Sequence, residues 1–136
     1  MRFYPSLLVL LAFVCVAGCE KEDAIVDPDP DDEVTFSQVQ AIFNASCAVS
    51  GCHAGASPQQ GMNLSAGVAY ANIVNVASVQ NPALSRITPD DPDNSYLFRK
   101  ISGTNITGSR MPLGGTLSAA QIDLVRDWIE AGAPNN

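Results

Sequence analysis

The chain has a single histidine, His53, in 136 residues. That scarcity excludes a good deal. A structural zinc site takes four ligands, usually cysteine or histidine, and one histidine supplies little toward them. If His53 is committed to a cofactor, no base remains to activate a nucleophile, so hydrolytic catalysis is not expected. Charge is scarce as well. Charged residues make up 15 % of the chain, with seven Lys and Arg against 14 Asp and Glu. Eight of those acidic residues crowd into residues 20–33, "EKEDAIVDPDPDDE". From Val34 onward, six acidic and five basic residues nearly balance. No basic patch could neutralise a phosphate backbone, and nucleic-acid binding is not expected. Long apolar runs are missing too. Leu7 to Val16 is the one candidate, and it falls short of the ~20 residues that span a bilayer.

What is present begins at the N-terminus. "MRFYPSLLVLLAFVCVAGC" opens with one arginine, Arg2, and continues into that short apolar run, the anatomy of an export signal. It ends in Val16-Ala17-Gly18-Cys19, which resembles the lipobox of bacterial lipoproteins. The resemblance implies a signal peptide at 1–18 and acylation of Cys19. It places the mature chain in the bacterial cell envelope, on the periplasmic side or at the surface, with Glu20 favouring the outer membrane. Several acyl chains, each buried methylene contributing about 0.8 kcal/mol, hold a protein on a membrane where one barely does. Secretion with a free Cys19 thiol, or a retained anchor, are the alternatives. Residues 19–33 read as an acidic, Pro-containing tether, and residues 34–136 as one domain.

Export leaves Cys47 and Cys52 as the remaining cysteines, in a compartment that oxidises thiols. They stand in "CAVSGCH", directly before His53. Three chemistries compete. Zinc lacks ligands. A disulfide could close across a loop containing Ser50 and Gly51, giving a haem-free, stapled binding or adaptor module. A c-type haem attachment site reads Cys-x-x-Cys-His. Here the Cys52–His53 adjacency is kept, and the spacer has grown from two residues to four.

The domain reads as short helices joined by long loops. Thr35-Phe36-Ser37-Gln38 and Ser118-Ala119-Ala120-Gln121 are capping boxes. The first leads a helix with Phe36, Val39, Ile42 and Phe43 inward, ending at Cys47. The second leads one with Ile122, Val125 and Ile129 on a face, flanked by Leu124 and Trp128 and stopped by Gly132. A weaker helix spans 67–74. Asn94 is expected to cap a third helix carrying Tyr96, Leu97, Phe98 and Ile101. "NIVNVASV" alternates in part, but no partner strand is evident. So much loop in a small domain calls for an additional object to pack against.

Met111, in "GSRMPLGG", lies between the third helix and the last. Methionine sulfur is a common second axial ligand in cytochromes c. Taken together, the helix before "CAVSGCH", the late "RMP" and "LSAAQIDLVRDWIEAGAP" resemble a small class I c-type cytochrome domain. More narrowly, "NSYLFRKISGT…GSRMPLGGTLSAAQIDLVRDWIEAGA" is similar to cytochrome-c-like domains of bacterial exported proteins. The resemblance implies an all-α, cytochrome c-like fold around one covalent haem c. Cys47 and Cys52 would form thioethers, with His53 the proximal and Met111 the distal iron ligand. Met62 is the competing methionine, and its position reads as core. Arg86, Arg99, Lys100 and Arg110 are candidates for the haem propionates, with Arg110 favoured because it adjoins Met111. The first and last helices would meet, burying aromatic surface over the haem edge. The activity implied is single-electron transfer between redox donor and acceptor proteins, from a lipid anchor, and not catalysis.

Overall fold

The computed structural model describes residues 33–136. The expected signal peptide, the Cys19 lipid site and all but the last residue of the tether lie outside them. Four α-helices are present among the described residues: α1 (Phe36–Ser46), α2 (Ala69–Ile73), α3 (Tyr96–Ser102) and α4 (Ala119–Glu130). Among the described residues, no strand longer than an isolated bridge accompanies them. The domain is therefore helical with long loops, as its pattern implies.

Both capping boxes form. Gln38 donates its backbone N–H to the Thr35 hydroxyl, and the Gln38 side chain accepts the Thr35 N–H at 2.9 Å. Ser118 and Gln121 repeat the exchange at 3.2 and 2.9 Å. Each box satisfies two amides that the helix itself cannot, and losing such a cap costs about 1 kcal/mol. The helices bury the faces their periodicity dictates. Val39, Ile42 and Phe43 of α1 and Val125, Trp128 and Ile129 of α4 are all buried. Each such side chain contributes about 1.5–3 kcal/mol on burial. α1 and α3 each pack on α4.

The α1–α4 seam is sealed by aromatics. The Phe36 ring lies 5.4 Å from Trp128 and 5.2 Å, edge on, from Tyr70. The C-terminal tail closes over this group. Its Ala133 and Pro134 carbonyls accept from the Tyr70 hydroxyl and the Trp128 indole, each at 2.9 Å.

Three local expectations change. Asn94 does not cap α3. It ends a short 3-10 turn, Pro92–Asn94, whose cap is Asp91, and Ser95 stands at the head of α3. The Ser95 hydroxyl is already engaged, donating toward the Asp91 and Thr88 carbonyls. α2 covers only the middle of 67–74 and lacks a side-chain cap. "NIVNVASV" does find a partner. Asn75 donates to the Ile87 carbonyl and Arg86 to that of Val76, while Tyr96 and Leu97 donate to Ser85 and Arg86. Residues 84–87 thus run between two neighbours. That partner carries no alternation of its own, so nothing in its sequence marks the pairing.

Candidate functional site

α1 delivers the first cysteine. Cys47 ends the helix with its N–H on the Phe43 carbonyl at 2.8 Å, and its side chain is buried. The chain then turns back. Cys52 donates to the Val49 carbonyl at 3.0 Å, with Gly51 at φ +81. A positive φ at the third position of a four-residue turn is the mark of type II, which glycine adopts without strain. Val49, Ser50 and Gly51 are exposed. The enlarged spacer is therefore solvent-exposed, with Val49 and Gly51 also at the edge of a cavity. His53 closes the loop by donating its backbone N–H to the Cys47 carbonyl at 3.2 Å. The two cysteines are free thiols and are not bonded to each other. Burial pushes the Cys47 thiol up to about 11, and the nearby Cys52 adds to the shift.

The residues after His53 fold over it. Gln59 donates to the Cys52 carbonyl at 2.7 Å and Leu64 to the His53 carbonyl at 2.8 Å. Between them the 3-10 turn Gln59–Gly61 brings the Met62 carbonyl to 3.1 Å from His53 Nδ1. A carbonyl only accepts, so Nδ1 donates here, and in the neutral ring that tautomer leaves the lone pair on Nε2. A metal-binding imidazole is held in the same way, by a hydrogen bond at its other nitrogen.

One cavity of about 460 Å³ brings these groups together. Cys47, Cys52, His53, Met62 and Met111 all line it. Phe43, Leu64, Leu97, Ile101 and Leu117 add an apolar wall. The exposed side chains of Val49, Val79 and Leu113 lie on it as well, so the opening is apolar too. Cys47, Cys52, His53 and Met111 are thus gathered from across 65 residues of sequence. Met62 lies partly buried against the core while also facing the cavity.

The expected cations divide differently. Arg110 does not line the cavity. It donates through Nε to the Ile101 carbonyl at 2.7 Å and lies against Gly103. Arg99 is engaged with Asp93 and Asn94. Arg86 and Lys100 are on the wall, both buried, and neither makes an ion pair among the described residues. Burial lowers the pKa of Arg86. Adjacency to Met111 favoured Arg110, whereas burial beside the cavity selects the other two. The aromatic seam also lies apart. Phe43 reaches the cavity, but Phe36 and Trp128 do not.

No family model, curated protein or solved structure matches this chain.

Proposed function

We propose that residues 34–136 bind one haem c and that the chain carries single electrons outside the cytoplasm, held to a membrane through Cys19. The observation that carries this reading is the convergence of two cysteines, a histidine held through Nδ1 and a methionine on one apolar cavity. The donor set fits the group. Thiols suit thioether links to its two vinyls, and imidazole with thioether sulfur suits a low-spin iron. Arg86 and Lys100 line the cavity and Arg110 does not, so their positive charge lies nearer the place the group's carboxylates would take, although both already donate to backbone carbonyls.

When bound, haem supplies the Fe(III)/Fe(II) couple. The chain's own residues do the rest. Cys47 and Cys52 anchor the group, His53 and Met111 present nitrogen and sulfur to the metal, and the apolar wall excludes water. Each of these raises or fixes the potential through ligand identity and burial. Nothing in the chain calls for a substrate reaction, and its partners are a redox donor and an acceptor.

The test is an absorption spectrum of the full chain produced in a host that assembles haem c. Sharp reduced α and β bands that survive acid-acetone extraction are expected. The Cys47→Ala, Cys52→Ala double variant should release all colour on extraction. A colourless, folded protein carrying a 47–52 disulfide would overturn the reading in favour of a stapled binding module.

A further inference from the structure

Arg86, on the cavity wall, grips the backbone next to the carbonyl that holds His53. Its side chain is only 8 % exposed, and its guanidinium is spent on backbone carbonyls. Nη1 donates to Asn72 O at 2.7 Å and to Gly61 O at 3.4 Å, and Nη2 donates to Gln60 O at 2.9 Å. Two of these carbonyls belong to an unusual pair. Gln60 and Gly61 both have left-handed backbone, with φ of 56 and 58. For a residue with a Cβ that conformation costs about 1–2 kcal/mol. It persists only where the surroundings hold it. No other donor among the described residues takes either carbonyl. Arg86 is the grip.

The next carbonyl along the chain is that of Met62, which accepts the His53 Nδ1 proton. The turn is pinned at its two flanks, by Gln59 on Cys52 and Leu64 on His53. Its left-handed centre is pinned by Arg86. We propose that Arg86 is a positioning residue for His53: by holding the Gln60 and Gly61 carbonyls it fixes the Met62 carbonyl, which orients the imidazole and holds a ring proton at Nδ1. Lysine cannot substitute, because a single ammonium does not reproduce a planar fork across three carbonyls. The use to which Nε2 is put rests on the haem reading. The hydrogen-bond chain from Arg86 to His53 does not.

The test is 1H–15N NMR of the full, reduced chain, reading solvent exchange of the His53 Nδ1 proton. In the wild type that proton sits on Nδ1 and exchanges slowly. In Arg86→Lys and Arg86→Gln it should exchange up to about tenfold faster, the effect of losing one net hydrogen bond. The Trp128 indole proton, bonded to Pro134 in the helix seam, should keep its wild-type rate. Unchanged His53 exchange in both folded variants overturns the proposal. So does a wild-type ring protonated on Nε2 with a bare Nδ1. Collapse of both variants, with the Trp128 proton exchanging as freely as that of His53, also overturns it, because Arg86 would then serve the whole fold. The haem reading fails separately, on colourless protein, and the same NMR readout still applies there.

Discussion

Met111 donates its backbone N–H to the carbonyl of Lys100 at 2.9 Å. The same lysine turns its buried ammonium onto the loop that leads to Met111, donating to Thr107 O at 3.0 Å and Ser109 O at 2.6 Å. Thr107 in turn donates its N–H to the Tyr96 hydroxyl at 3.1 Å. α3 thus sets the height and direction of the methionine loop from its own backbone and two side chains. Lys100→Met keeps the packing volume and removes both carbonyl bonds. Hydrogen bonds to a charged group contribute about 1.5–3 kcal/mol each, partly offset here by sparing the burial of a cation. The expected result is a urea midpoint lowered at unchanged slope. A methionine-to-iron absorption weaker than wild type should accompany it. An unchanged midpoint and band would show that the loop holds itself.

Two methionines line the cavity, and the reading assigns the iron to Met111. Met62 already serves through its carbonyl, which any side chain at that position preserves. Met111→Ala should therefore abolish the methionine-to-iron charge-transfer band and lower the reduction potential. Met62→Leu, nearly equal in volume, should keep the band and cost under about 1.5 kcal/mol. A band that survives in Met111→Ala and vanishes in Met62→Leu would exchange the two roles.

Much of this arrangement is legible in the sequence, and the reasons are local. The capping boxes at Thr35 and Ser118 are contacts between residues three apart, so the pattern contains both partners. The faces of α1 and α4 follow from helical period alone. Gathering Cys47, Cys52, His53 and Met111 on one cavity was implied by resemblance and not by spacing. What stayed hidden is long-range or carried by backbone. Arg86 meets Gln60, Gly61 and Asn72 across 14 to 26 residues, and a carbonyl acceptor leaves no trace in residue identity. Arg110 looked suited to the cavity because it adjoins Met111. Arg110 instead turns to the Ile101 carbonyl. One clue to Arg86 was available: a lone arginine set between Leu84 and Ile87.

The exposed spacer turn makes its own prediction. Gly51 at φ +81 has no atom within 4 Å of an added Cβ. Any cost of Gly51→Ala is therefore backbone strain and not a clash. That strain is about 1–2 kcal/mol, readable as a lowered denaturation midpoint. Ser50→Ala, at an exposed position of the same turn, should stay within about 0.5 kcal/mol of wild type. Covalent haem should persist in both, because neither substitution alters Cys47, Cys52 or His53. Loss of acid-resistant colour in Ser50→Ala would mean that the spacer takes part in attachment.

The last prediction concerns the thiols before any haem is joined. Burial, reinforced by Cys52, raises Cys47 from 9.0 to about 11. A group whose folded pKa lies above its unfolded value binds its proton more tightly in the fold. The stability linked to it is complete below the unfolded value and is lost as pH rises toward the folded one. In chain produced without haem attachment, the folded state should hold steady up to about pH 9 and weaken through the interval to about 11. Cys47→Ala should flatten that decline. Reactivity follows the same logic, since the thiolate is the nucleophile. At pH 8 iodoacetamide should modify the half-buried Cys52 well before Cys47, whose labelling should track global unfolding. Peptide mapping by mass spectrometry reads the order directly. Equal labelling at both positions in folded protein would show that Cys47 is open to solvent, and the cavity wall would need redrawing at its first anchor.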